Sequence, residues 1–211
     1  MNFLPLFASP IGWDYIDVDN QEIEEWCYQQ EHTSLDPKTG AGWQSGLVDL
    51  SAACLQPLLQ EIETKFVDAS NLIPFLPEHQ PKIVNAWINV NKPEGISLQN
   101  NIAHVHPGRY WTFVYYVRAE EGCGDLELTS PLKNMLGYAI PQQVYSNLTP
   151  FNSLQWSITP AAGKLVMFPG WIEHRAHANR STADRISIAF NADLQNLEKI
   201  QYPNMVDNLL R

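Results

Sequence analysis

Positive charge is scarce in this chain. Lys and Arg number 13 against 23 Asp and Glu, a formal charge of −10 over 211 residues. Affinity for a phosphate backbone is carried by Lys and Arg, so nucleic acid is excluded as the expected partner. Cysteine is equally sparse: Cys27, Cys54 and Cys123 are odd in number, far apart and in no CxxC pair. That pattern excludes a disulfide frame and a zinc knuckle, and suits reduced cytosolic thiols. No apolar run reaches membrane length, and Met1–Phe7 has no basic stretch and is interrupted by Pro5. Neither a membrane span nor a signal peptide is therefore expected, and the location is read as cytoplasmic. Internal repeats and low-complexity tracts are also missing.

Core-forming residues, by contrast, are plentiful. The chain is 45% hydrophobic, with eight Phe, eight Tyr and seven Trp, enough for one domain spanning 1–211 with a sheet-rich fold and a roomy pocket. The expected domain has a helical N-terminal part over about 1–80 and a barrel over about 83–194. An opening strand and turn fall within 3–18. A helix follows from Asp19 or Asn20 to about 31, with Ile23, Trp26 and Cys27 as its apolar stripe. The Gly-, Ser- and Thr-rich stretch 32–46 reads as loop. A longer helix within 51–70 repeats Leu58, Leu59, Ile62 and Phe66 at helical spacing, with Pro57 in its first turn. From 83 onward the texture changes. Val84, Ala86, Ile88 and Val90 alternate with Asn85, Trp87, Asn89 and Asn91, the mark of a half-buried strand. Further strands are expected at 109–118, 125–129, 155–159, 164–168, 172–178 and 185–192. Helices followed by seven or eight short strands suggest an all-β barrel of jelly-roll type with helices outside. The stretch 131–153, with Pro131, Pro141 and Pro150, is either a lid over a pocket or a surface excursion.

Three groups of residues carry the chemistry. His104-Val105-His106-Pro107 places two imidazoles at i and i+2, on one side of an extended segment. His174, closing the turn Phe168-Pro169-Gly170-Trp171-Ile172-Glu173, can complete a face of three ligands. Imidazole is a neutral, borderline ligand suited to a first-row transition metal. His177 lies three residues past His174 and so faces the other way on a strand, while His32 and His79 fall in loop segments. The third group is Arg185, which shares a strand face with Ser187, Ala189 and Asn191. A guanidinium and a nearby hydroxyl suit a terminal carboxylate. Tyr116, on a face with Thr112 and Val114, can add a phenolic donor. Trp87, Asn89 and Trp111 are candidates for a substrate pocket.

In this ordered set the chain resembles the 2-oxoglutarate- and iron(II)-dependent dioxygenase superfamily, and within it a group of small oxygenases that share its whole-chain layout. The residues concerned are Leu6-Phe7-Ala8-Ser9-Pro10-Ile11, Gly42-Trp43-Gln44-Ser45, Ala86-Trp87-Ile88-Asn89-Val90, His104-Val105-His106-Pro107, Val114-Tyr115-Tyr116-Val117, Phe168-Pro169 with His174, and Arg185-Ile186-Ser187-Ile188-Ala189-Phe190-Asn191. The resemblance implies a cupin-like double-stranded β-helix with Fe(II) held at its mouth by His104, His106 and His174. It further implies 2-oxoglutarate held by Arg185, Ser187 and Tyr116, and an oxidative decarboxylation coupled to hydroxylation of a small-molecule or peptide substrate. A homodimer is compatible with this reading. One position departs from the superfamily's usual pattern: His106 stands where Asp or Glu is customary. Three neutral ligands leave the ion's charge to be balanced by the cosubstrate or by a nearby acid, for which Asp125, Glu127 and Glu173 are the candidates.

Two other readings stay open. A cupin-type three-histidine metalloenzyme also uses HxH, but it customarily adds a Glu a few residues later, where this chain has Gly108, Arg109, Tyr110 and Trp111. A barrel that binds without catalysing would explain His106 as decay, though the intact Arg185 and Ser187 argue against it.

Overall fold

The computed structural model describes residues 8–34, 41–93 and 102–197. The expected opening strand lies partly outside these residues, as do Leu6 and Phe7. In chain order the described elements are β1 (Gly12–Tyr15), α1 (Asn20–Tyr28), β2 (His32–Ser34), β3 (Gly42–Ser45), α2 (Gln56–Leu72), β4 (Pro81–Asn91) and β5 (Trp111–Arg118). They continue with β6 (Leu126–Thr129), α3 (Lys133–Ala139), β7 (Gln155–Ile158), β8 (Lys164–Pro169), β9 (His174–Ala176) and β10 (Arg185–Leu194). Seven strands form one antiparallel sheet in the order β1-β8-β5-β10-β4-β3-β2, and three form a second, β7-β6-β9. This is a jelly roll with flanking helices.

Alternation decides which face does what. From the larger sheet, Ile88 and Val90 of β4, Trp111, Phe113 and Tyr115 of β5, Leu165 and Met167 of β8, and Ile186, Ile188 and Phe190 of β10 pack outward against the helices. There they meet Ile23 and Cys27 of α1 and Leu58, Ile62 and Phe66 of α2. Each such fully buried side chain contributes about 1.5–3 kcal/mol. The Asp19 carboxylate accepts the Glu22 N–H at 3.0 Å and starts α1, a cap worth about 1 kcal/mol. Pro57 sits in the first turn of α2, where its missing N–H does no harm. The other face of the sheet turns toward the smaller one. Phe168 and Val166 meet Leu126 and Leu128 there, and a cavity of about 660 Å³ remains beside them.

Three expectations are corrected: the loop over 32–46, the loop placement of His32 and the buried face given to Val84. The stretch 32–46 is not simply loop: β2 and β3 pair with each other, and β3 pairs with the edge of β4, Trp43 opposite Val90 and Gln44 opposite Asn89. Turn-forming composition hid strands too short to show alternation, and they make the N-terminal part of the chain more than helical. His32 lies in β2, its ring stacked 4.4 Å from that of Trp43. Val84 does not share the buried face of β4. The register against β10 jumps between Asn191 and Ala192, which face Asn85 and Ile83, so Val84 is the extra residue of a β-bulge and is exposed. Within 131–153 a short helix, α3, forms and points outward, with Tyr138 93% exposed.

Candidate metal centre and anion cradle

His104 and His174 are held side by side by their own backbones. The His104 N–H donates to the His174 carbonyl at 3.0 Å, and the His174 N–H returns a bond to His104 at 2.9 Å. This is an isolated bridge rather than a full strand. Two residues on, the His106 N–H donates to the Gly170 carbonyl at 2.8 Å, so the extended HxH segment runs along the turn that delivers His174. Gly170 is needed there because a Cβ would strike the Arg109 carbonyl. The result is convergence: the potential ligand atoms of His104, His106 and His174 all lie within 4.8 Å of one another.

Tautomers follow from the partners. A carbonyl only accepts, so His174 Nδ1 must donate to Ile172 O at 2.9 Å, and His104 Nδ1 to Ile102 O at 3.1 Å. Both rings then present the Nε2 lone pair inward, in the way metal-binding histidines are customarily oriented by backbone acceptors. Burial pushes the His174 imidazolium down to about 3, and the His104 and His106 rings add to this against the opposing Ile172 hydrogen bond. Burial likewise lowers His106 to about 4, with His104 and Arg109 contributing. Neutral rings result, with His106 Nε2 and His174 Nε2 only 3.2 Å apart. Two nitrogens about 2.1 Å from a common ion and at right angles are about 3 Å apart, so the donor set fits a transition-metal ion. No carboxylate joins the group among the described residues.

Arg185 sits deeper in the same cavity, 2% exposed. Its Nη1 donates to the carbonyls of Cys123, Gly124 and His177 at 2.7, 2.8 and 3.0 Å, while Nε and Nη2 share Asn91 Oδ1 at 3.3 and 2.8 Å. One Nη2 N–H is left over. Among the described residues no carboxylate is hydrogen-bonded to Arg185: every direct partner is a neutral oxygen, and Asp125 acts on the buried charge only through space. Such a charge is costly unless an anion offsets it. Ser187 and Tyr116 are paired across β10 and β5, and both line the cavity beside Arg185. Neither hydroxyl has a partner among the described residues. Three spare donors thus surround one pocket floor. The Tyr116 phenol is pushed up by burial, so it remains a donor.

Two of the three expected acids are engaged elsewhere. Glu127 accepts from Arg175 Nε at 2.8 Å, from His177 Nε2 at 3.1 Å and from Gln155. Glu173 accepts from Lys133 Nζ at 2.8 Å. Asp125 makes no side-chain bond to the histidines. Of the expected pocket residues, Trp87 and Asn89 line the cavity, and the Trp87 ring lies 5.4 Å from that of His106. Trp111 does not line it. It is one residue out of phase with Thr112, Val114 and Tyr116 on β5, so alternation turns it into the core beneath the helices. Asn91, which braces Arg185, was missed by sequence reasoning. Its place on the Trp87–Asn89 face was visible, whereas the pairing of β4 with β10 was not.

A protein-family model described as "Putative 2OG-Fe(II) oxygenase" matches residues 85–191. Among curated protein sequences none matches this chain. Solved structures do resemble it. A prolyl-4-hydroxylase from Pseudomonas putida is 13% identical, with a TM-score of 0.57 over 88% of this chain and 92% of that one. HygX from Streptomyces hygroscopicus, with nickel, 2-oxoglutarate and hygromycin B bound, is 9% identical with a TM-score of 0.54 over 90% and 84%. A viral collagen prolyl hydroxylase from Paramecium Bursaria Chlorella virus-1, in complex with 2OG, is 11% identical with a TM-score of 0.51 over 86% and 94%. At these identities the likeness is one of fold.

Proposed function

This chain belongs to the family of 2OG-Fe(II) oxygenases, and from that premise we propose that it couples oxidative decarboxylation of 2-oxoglutarate to hydroxylation of a small-molecule or peptide substrate. His104, His106 and His174 would hold Fe(II) through their inward lone pairs. Arg185, with the hydroxyls of Ser187 and Tyr116, would bind the far carboxylate of 2-oxoglutarate. The bound iron and its cosubstrate supply the oxidising chemistry. What the chain itself supplies is placement. Backbone carbonyls fix two of the ring tautomers, and Asn91 with three loop carbonyls fixes the guanidinium. A dianionic cosubstrate also brings the negative charge that the all-histidine face lacks.

The observation that carries this reading is a buried guanidinium with no hydrogen-bonded acid among the described residues, in the same cavity as three converging neutral imidazoles. The test is anaerobic addition of Fe(II) and then 2-oxoglutarate, watching for the weak visible charge-transfer band of a chelated 2-oxo acid. A band is expected, and Arg185→Gln should raise the 2-oxoglutarate concentration needed for it by about 100-fold, as for a lost charge-assisted pair. Iron binding without the band would favour the cupin-type enzyme, and no iron binding would favour an inactive barrel.

A further inference from the structure

One row of the inner sheet face is polar where its neighbour is not. Trp87, Ala189 and Val114 make an apolar row across β4, β10 and β5, followed two residues on by Asn85, Asn191 and Thr112. These three are bonded in series: Thr112 Oγ1 donates to Asn191 Oδ1 at 3.0 Å, and Asn191 Nδ2 donates to Asn85 Oδ1 at 3.1 Å. Asn191 is only 4% exposed, and Thr112 is buried, yet both line the cavity with the three histidines. An amide NH2 has two N–H bonds, and among the described residues only one of those of Asn191 meets a protein acceptor. The row lies on the side of the Trp87–His106 contact opposite to Arg185, about 7 Å along the strand. The bulge at Val84 falls at this row, and bulges are frequent where a side chain is aimed at a site.

From these observations we infer that Asn191, braced by Thr112 and Asn85, is a specificity-determining residue whose second N–H receives an uncharged oxygen acceptor of the substrate beside the metal. The inference rests on the oxygenase reading above and deepens it by naming the substrate class. The end of the substrate that enters the cavity is neutral and carries a hydroxyl, ether or carbonyl oxygen. Among the described residues lining the cavity Arg185 is the only Asp, Glu, Lys or Arg, and the cosubstrate takes it. A cationic substrate end would find no counterion among these lining residues, and a purely aliphatic one would leave the buried Asn191 donor unpaired.

Paramagnetic relaxation tests this without knowing the substrate. The protein is loaded with Mn(II) and 2-oxoglutarate and titrated with N,N-dimethylacetamide, which only accepts hydrogen bonds, or with isobutylamine, a cation that only donates. Wild type should give saturable broadening of the dimethylacetamide methyl signals and none for isobutylamine. Asn191→Leu should weaken dimethylacetamide binding by about 5–10-fold, as for one lost hydrogen bond. Asn191→Asp keeps the acceptor for Thr112 and the side-chain shape, so it serves should the Leu variant misfold. It should lose dimethylacetamide and gain isobutylamine. Equal dimethylacetamide affinity in wild type and in a folded variant, or an equal response to both probes in wild type, overturns the inference. Failure of wild type to bind Mn(II), seen in the water-proton relaxation before any probe is added, overturns the oxygenase reading and this inference with it.

Discussion

His106 is the residue at which the site departs from the superfamily's customary carboxylate. Its ring is buried enough to stay neutral, and its Nε2 stands 3.2 Å from that of His174. Removing it as His106→Ala takes away one of the three proposed ligands and should lower iron occupancy at least tenfold, measured by elemental analysis after dialysis against a weak chelator. His106→Asp restores a negative ligand of shorter reach. Occupancy within about tenfold of wild type is expected, because carboxylate oxygen suits the same ion. Occupancy in His106→Ala equal to wild type would remove this ring from the proposed ligand set. Two of the three acids that the sequence offered as charge compensators are spoken for in the structure, since Glu127 and Glu173 are committed to Arg175, His177 and Lys133.

Strands β6 and β9 support the metal face from behind, and Glu127 ties them together. It sits opposite Arg175 in the ladder. Burial pushes its carboxyl up, but hydrogen bonds and charge from Arg175 and His177 outweigh this and leave it below the usual carboxylate range. A carboxylate lowered in the folded state contributes stability above its unfolded value, and that contribution fades as pH falls through the folded one. Glu127→Gln should therefore cost about 1–2 kcal/mol at pH 7, and the difference from wild type should shrink below about pH 4. Urea midpoints at pH 7 and pH 3.5 measure both. Much at this scale was legible. Period-2 alternation put Arg185, Ser187, Ala189 and Asn191 on one face and Thr112, Val114 and Tyr116 on another, and those faces do line one cavity. What stayed hidden depends on long-range register. The four residues of β3 become a strand by pairing with β2 and β4, and Val84 leaves its face because β10 has no residue opposite it. Trp111 went astray for want of phase: aromatic character said pocket, position on β5 said core.

At the scale of the whole molecule, the three histidines sit where the two sheets meet, His104 bridged to His174 of β9 while His106 touches Trp87 of β4. An ion held by all three would therefore tie the His104–His106 segment to the smaller sheet, beside Trp87 of the larger one. Ligands that bind only the folded chain stabilise it by mass action, about 2.7 kcal/mol at a hundredfold excess over Kd. For a chain of this size that corresponds to a rise in Tm of about 5–11 °C, which calorimetry with and without Mn(II) and 2-oxoglutarate should show. Among the described residues no helix is long and apolar enough to cross a membrane. The contact between Trp87 and His106 carries one more consequence. An indole 5.4 Å from a ligand ring lies within quenching range of an open-shell ion bound there. Loading the site should dim the emission of this tryptophan, giving the protein a built-in optical gauge that a Trp87→Phe chain would lack.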